Sequence, residues 1–495
     1  MDAYTPTLVA LLILLAAVFL HQNKSRSAPL LIITHVGGEK LGTIGDELVI
    51  FRARFLQIYS LAIAADWLQG SFTYSLYKNT HRLTEATIAS LFITGFLSAG
   101  IGAFFAGTFA DRFGRKRACL FYCFLYAVSC LLILSPNLKT LFIGRVLSGL
   151  GTTILFTAFE AWMIAECNRL GFGDDDGILN SIFGTMSVLN GFIAIACGLV
   201  SQLLVKLTSS EKAPFIASII CLVPASYLIS TSWVENYGKK NLSSSVPSDG
   251  TLSRLWPRIF TVTYVTTFLE GSMYIMVFSW AGILISADKP SNNSASLPFG
   301  IIFASFMSSM TLGSYIFEIA TRNGNHSLQA SSHAIQIALS FAASGLLLAV
   351  MFERAIFRFW ALCLFELSLG IYFPAVAYVK GILVPEEHRA KIYGAMRVPV
   401  NAFVMFVLSK VEDTDESRED RLVVCSGLLL IGIVLTARYM HALEAAIFPG
   451  AFVPKSSSFL LSDLLWLIRV FESNGINVFL GQKDPLHLVR EFLIS

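Results

Sequence analysis

Thirteen stretches of mostly apolar residues recur along the chain, near 6–21, 53–77, 86–110, 117–135, 138–165, 178–206, 213–233, 258–286, 297–320, 331–352, 357–379, 391–410 and 421–446. No other feature restricts the fold as strongly. A run of about 20 apolar residues is what a helix needs to cross the hydrocarbon core of a bilayer. Composition agrees: 55% of the 495 residues are hydrophobic and only 14% are charged, where a soluble domain carries roughly 25%. Forty Phe cannot be hidden in one water-soluble core. The expectation is an all-α polytopic membrane protein with one early helix followed by twelve.

The net charge of +3 is too small to suggest a nucleic-acid partner. The eight cysteines are scattered and form no CxxC pair, so neither a metal site nor a disulfide framework is indicated. Cys119 and Cys123 share a helix face and read as small apolar residues. No G-x-x-x-x-G-K-[ST], G-x-S-x-G or H-E-x-x-H run occurs, which leaves ATP-driven transport and enzymatic activity unsupported and implies no cofactor.

The first run carries Asp2 and no cation ahead of it, with Lys24 and Arg26 behind it. That arrangement suits a retained anchor with its N-terminus outside rather than a cleaved signal peptide. The positive-inside rule then places Lys40, Arg52, Arg54, Arg112, Arg115, Lys116, Arg117, Lys239, Lys240, Arg254, Lys380, Arg389 and Lys391 in cytoplasmic loops. Outer loops carry fewer cations, often beside acids, as in EDTDESRED at 412–420. Of the sequons at Asn23, Asn241, Asn292 and Asn325, only Asn292 falls outside, so glycosylation is expected there.

The longest polar stretch between runs, VENYGKKNLSSSVPSDGTLSRLW at 234–256, divides the twelve later helices six and six. The expected parts are an anchor and linker (1–52), two bundles (53–233 and 258–446), an inter-bundle loop (234–257) and a cytoplasmic tail (447–495). The tail contains FLLSDLLWLIRVF, to be read either as an amphipathic helix lying on the membrane or as an extension without fixed structure.

The halves echo each other. Leu68-Gln69-Gly70-Ser71 in the first core helix matches Leu269-Glu270-Gly271-Ser272 in the seventh. Arg145 and Gly149 in the fourth match Glu366 and Gly370 in the tenth. Transporters are built from such repeats, with the substrate site at the midplane.

One loop is denser in signal than the rest: GTFADRFGRKR at 107–117. Gly107 offers a point of close helix approach. Asp111 at the membrane edge is within reach of Arg115 or of a facing helix N-terminus, and Gly114 permits a tight reversal. Arg112, Arg115, Lys116 and Arg117 hold the loop in the cytosol. The stretch resembles the G-x-x-x-D-R-x-G-R-[RK]-[RK] signature of the major facilitator superfamily at every position, and GRVLSGLG at 144–151 resembles its fourth-helix R-x-x-x-G motif. The resemblance implies that fold, two pseudo-symmetric six-helix bundles here joined by an extra N-terminal helix, and a latch role for Gly107, Asp111, Arg112, Gly114, Arg115, Lys116 and Arg117.

Within the superfamily, AADWLQGSFTYSLY at 64–77, LFTAFEAWMIAE at 155–166, FLEG at 268–271, PFGIIFASFM at 298–307, IYFPAV at 371–376 and PEEHRAKIYGAMRVPVN at 385–401 are similar to the eukaryotic molybdate-anion transporters, in order from about Arg52 to Thr436. That resemblance implies a secondary carrier of molybdate or a related oxyanion, and the plasma membrane as its location. The tail after Pro454 and the 234–256 loop depart from the family.

Ionisable groups inside spans cost roughly 2.5–3.5 kcal/mol on insertion scales and point to function. Here they are Asp66, Arg145, Glu160, Glu270, Glu366 and Arg397, joined by the polar Gln69, Asn190 and Asn401. Mutual pairing between helices is the alternative for each. Most lie on helices that line the central cavity in the superfamily. Arg145 is the first candidate for substrate contact, because a guanidinium stays charged and offers a planar fork to an oxyanion. Arg397, from the other half, is the second, with Gln69 and Asn401 beside them. Asp66, Glu160, Glu270 and Glu366 either neutralise the arginines when the site is empty or carry a coupling proton, since burial disfavours a charged carboxylate. Trp67, Trp162 and Trp280 read as packing or interface anchors, and Pro374 and Pro399 as helix kinks. A carrier of a sugar or organic anion, and a scaffold or sensor without transport, stay open as alternatives.

Overall fold

The computed structural model describes residues 3–25, 41–171, 176–238, 249–288, 297–321, 328–384, 389–412 and 414–447. Among them, regular structure is entirely helical: α1 (Tyr4–Ser25), α2 (Leu41–Gly70), the short α3 (Thr73–Ser75), α4 (Glu85–Phe113), α5 (Arg115–Leu132), α6 (Leu138–Arg169), α7 (Asp176–Thr208), α8 (Ala213–Ser232), α9 (Asp249–Asp288), α10 (Phe299–Thr321), α11 (Leu328–Met351), α12 (Ala355–Leu383), α13 (Arg389–Ser409) and α14 (Asp415–Ile447). Setting α3 aside, each apolar run of the sequence corresponds to one long helix. Twelve are long and apolar enough to cross a membrane, which makes this a multi-pass membrane protein. The exception is α5, whose first turn is Arg115-Lys116-Arg117.

The largest differences from the sequence reading are at four boundaries. The first core helix begins at Leu41, not 53, so Arg52 and Arg54 lie within it rather than in a loop. The first core helix, expected to run to 77, stops at Gly70. The chain then makes α3 and a π-helical turn over Leu76–Thr80. Polar side chains stabilise this break: Thr73 Oγ1 donates to the Gln69 carbonyl at 2.8 Å, Thr80 Oγ1 to Glu211 at 2.9 Å, and Ser75 also bonds Glu211. A π-turn leaves backbone groups poorly matched, and such turns cluster at functional sites. The helix after the polar loop starts at Asp249, not 258, and runs for 40 residues. The acidic stretch expected as an outer loop is largely the first turns of α14, where Arg418 and Arg421 are buried and Glu419 pairs with Arg358 at 2.8 Å. Asn292, most of the 234–257 loop before Asp249, and the chain after 447 lie outside the described residues.

The chain forms two compact units. One comprises Met1–Ser243, Ser294–Thr311 and Leu408–Val411, the other Ser244–Asn293, Leu312–Val407 and Glu412–Ser495. In the first, α4 and α6 pack backbone to backbone: a Cβ on Gly149 would overlap the Gly95 carbonyl oxygen and lie 2.7 Å from Ser98 Oγ. Ser98 Oγ donates to the Val146 carbonyl at 2.6 Å, and Thr153 Oγ1 to the Ala99 carbonyl at 3.0 Å. The second unit repeats the device between α10 and α12. A Cβ on Gly313 would overlap the Leu367 carbonyl and lie 3.1 Å from Gly370 Cα, and Ser314 Oγ donates to the Gly370 carbonyl at 3.1 Å. Small residues let helices approach where lipid supplies no hydrophobic drive. Gly149 and Gly370 are the matched glycines of the repeat.

Candidate functional site: a charge cluster in each unit

The fourth core helix, α6, carries Arg145 to the face packed on α4. Its Nε donates to the Leu91 carbonyl at 3.3 Å, and its guanidinium carbon lies 5.0 Å from the centroid of the Phe92 ring. Gly95 leaves the room: a Cβ there would come within 2.8 Å of Arg145 Nη2. The guanidinium is half-buried and oriented by packing, with Asp66 within electrostatic range. Asp66 accepts a hydrogen bond from Tyr126. Gln69 is buried, its Nε2 4.0 Å from Cys130 Sγ. Trp67 Nε1 donates to Asn190 Oδ1 at 2.8 Å, joining α2 to α7. Glu160 is half-buried, and Tyr59 lies within electrostatic range of both Glu160 and Asp66.

In the second unit α9 supplies Glu270, buried at 7% side-chain exposure between two cations. Arg397 Nη1 of α13 lies 3.4 Å from Oε2, and Lys380 Nζ of α12 lies 3.6 Å from Oε1. The Tyr372 hydroxyl is 3.3 Å from Oε1 and from Thr266 Oγ1. Tyr274 stands beside the Arg397 guanidinium. Asn401 follows Arg397 by four residues on α13, so it shares that helix face. Glu366 is buried in α12, without a hydrogen bond or ion pair among the described residues.

Lys380 is a correction. The sequence reading put it in a cytoplasmic loop with the other cations, but it sits on the last turns of α12 with 15% side-chain exposure. The missed signal was helical register: fourteen residues separate Glu366 from Lys380, about four turns of 3.6 residues, so both fall on one face.

The matched positions of the repeat diverge. Gly70 ends its helix, while Gly271 lies inside the unbroken α9, where a Cβ would stand 2.5 Å from the Phe403 ring.

The stretch GTFADRFGRKR, expected as a loop, is the end of α4, Gly114 and the first turn of α5, and it is held by one carboxylate that the sequence reading did not single out. Glu235 Oε1 accepts from the Lys116 backbone N–H at 2.8 Å, Oε2 from that of Arg117 at 3.3 Å, and Arg117 Nε lies 3.7 Å away. The side chain therefore caps the N-terminus of α5, where free N–H groups and the helix dipole both favour an anion. Gly114, at φ +109°, makes the reversal, and a Cβ there would stand 2.5 Å from the Glu235 carboxyl carbon. Asp111 pairs with Arg115 at 2.8 Å, and Arg115 Nη1 donates to the Ala161 carbonyl at 2.9 Å. Lys116 Nζ donates to the Ser230 carbonyl at 2.8 Å, and Arg112 lies 5.9 Å from the Phe113 ring. Trp162, stacked on Trp233 at 3.7 Å, donates to the Val234 carbonyl at 2.9 Å. Gly107 does not provide the close approach expected of it: it is exposed, and no described atom lies within 4 Å of its Cβ position. Gly102, Ala106 and Ala110 are the buried small residues on the other face of this part of α4.

A family profile described as sugar transporters with twelve transmembrane segments matches residues 30–358. The molybdate-anion transporter of Takifugu rubripes is 30% identical over 382 residues, covering 71% of this chain and 77% of that protein. The molybdate-anion transporter of Xenopus laevis is 30% identical over 392 residues, covering 78% and 84%. Among solved structures, a mutant of the nucleoside transporter NupG superposes with a TM-score of 0.60 at 14% identity, over 78% of this chain and 99% of that one. An auto-inhibited POT family peptide transporter gives 0.60 at 10% identity, over 80% and 97%. These two likenesses concern the fold alone. With the profile spanning most of the chain and the curated relatives matching along most of both sequences, the chain belongs to the major facilitator superfamily, in the family that includes the molybdate-anion transporters.

Proposed function

We propose that this protein is a secondary carrier that moves molybdate, or a related oxyanion, across a membrane by alternating access. The observation that carries the reading is the 30% identity to molybdate-anion transporters over 71–78% of the chain. The site chemistry supports it: each unit places a candidate arginine, Arg145 or Arg397, within electrostatic range of an acid, Asp66 or Glu270. A guanidinium matches the oxygens of a tetrahedral dianion bidentately and keeps its charge at any working pH. Gln69 and Asn401 are the neutral hydrogen-bonding partners in this reading.

The acids divide by their surroundings. Asp66 and Glu270 have partners and act as counter-charges to the arginines. Glu366 has no ion-pair partner among the described residues, and it is the residue proposed to carry a coupling proton. Glu160 is kept as a second acid near the Arg145 helix face. The stretch from Gly107 to Arg117, clasped by Glu235, is the conformational latch. The bundles are 53–233 and 258–446, the N-terminus is outside, the C-terminus is cytoplasmic, and the plasma membrane is the site of action.

The profile's description favours a sugar as the second reading. Uptake of labelled molybdate into cells lacking their own molybdate transport separates the two. Wild type is compared with Arg145→Ala at matched surface expression, with excess sulfate or excess hexose as competitor. Uptake that wild type restores, sulfate reduces and Arg145→Ala abolishes supports the oxyanion carrier. Uptake displaced by hexose alone supports the sugar carrier. A chain that moves neither solute, yet loses its cellular effect when the tail after Pro454 is deleted, is the scaffold or sensor.

A further inference from the structure

In the second unit, two cations share one carboxylate. Lys380 at 3.6 Å and Arg397 at 3.4 Å both face Glu270, whose two oxygens are divided between them. Both distances exceed that of a charge-assisted hydrogen bond, about 2.7–2.9 Å. Glu270 is also held from the side by the Tyr372 hydroxyl at 3.3 Å. Among the described residues the cluster sets two cationic side chains against one acid, and the more buried of the two is Lys380, at 15% side-chain exposure against 55% for Arg397. Excess charge in a poorly solvated place is unfavourable until another charge joins it. A cluster built only to fasten helices needs a single cation for its single acid.

We propose that Lys380 is a substrate-binding residue for the oxyanion, and that Glu270 is a built-in competitor that occupies Lys380 and Arg397 while the site is empty. The proposal rests on the oxyanion reading given above. An arriving dianion takes the two cations together, and Glu270 is left to the Tyr372 hydroxyl. When the dianion leaves, Glu270 returns, so the cations are never left bare and the anion is not held too tightly to be released. A lysine suits this exchange because its ammonium is a compact point charge on a flexible stem.

The test is concentration-dependent molybdate uptake by the full chain at matched surface expression. For Lys380→Met, KM is expected to rise at least tenfold, whereas Lys380→Arg keeps KM within about threefold of wild type. Glu270→Gln removes the competitor and is expected to lower KM and Vmax together, as binding tightens and release slows. The double variant Lys380→Met with Glu270→Gln answers the concern that a lone buried carboxylate destabilises the protein. If the pair only joins α9 to α12, the double variant has the same KM as Glu270→Gln alone, and the proposal is overturned. If Lys380 touches substrate, the double variant reaches the surface with a KM at least tenfold above that of Glu270→Gln. A wild-type KM in Lys380→Met also overturns it. Wild type that moves no molybdate overturns the carrier reading and this proposal together, whereas a transporting wild type with unaffected variants overturns the proposal alone.

Discussion

Gly149 of α6 stands directly against Gly95 of α4, so close that a Cβ on Gly149 would overlap the Gly95 carbonyl oxygen. The same Gly95 makes room for the Arg145 guanidinium one turn earlier on α6. A single glycine of α4 thus sets both the helix spacing and the seat of the candidate substrate arginine. Gly149→Ala should cost about 1–3 kcal/mol, the usual penalty for overpacking, and lower the detergent Tm by several degrees. Gly107→Ala, on an open helix face, should be neutral or slightly stabilising. Thermal denaturation followed by size-exclusion chromatography reads both, and equal losses in the two variants would refute the contact.

Arg145→Lys should not rescue transport. Lysine has no planar fork with which to donate to the Leu91 carbonyl while lying over the Phe92 ring. Molybdate uptake in Arg145→Lys is expected to fall at least tenfold, close to the Arg145→Ala level. Near-normal uptake would reduce Arg145 to a simple positive charge.

Glu235→Ala should free the first turn of α5 and cost about 0.5–2 kcal/mol, as lost helix caps do. Glu235→Gln should lie between it and wild type, since the amide oxygen still accepts one N–H. Gly114→Ala should be worse than either, because φ is +109° and the new methyl meets Glu235. The Tm order wild type, Glu235→Gln, Glu235→Ala, Gly114→Ala is the expected result.

Glu366 is the expected proton carrier, so wild-type uptake should vary with external pH and Glu366→Gln uptake should not. The neutral amide mimics the protonated acid at every pH. Parallel pH profiles in the two proteins would remove Glu366 from coupling.

Orientation is checked by glycosylation. Glycosidase should increase the gel mobility of wild type but not of Asn292→Gln. A mobility change that persists in the variant would reverse the proposed topology.

The helices were legible because membrane insertion writes itself into the sequence. Each span needs its own apolar run, and each long helix of the structure falls on one. The matched pairs Arg145 with Gly149 and Glu366 with Gly370 were legible as a repeat, and both glycines lie at close helix contacts. What the sequence could not show is which way a polar residue turns once its helix is packed. Gly107 and Gly149 are both glycines in motifs, yet one faces open space and the other a backbone. Lys380 and Lys116 are both cations near helix ends, yet one faces a buried carboxylate and the other a backbone carbonyl. The sequence by itself determined the number of long helices, their order and their family, because these follow from local hydropathy and short motifs. Only the tertiary structure decided that Glu270 is shared by Lys380 and Arg397 and that Glu235 caps α5. Those partners are more than a hundred residues apart in the chain, and only packing sets the distances that make them interact.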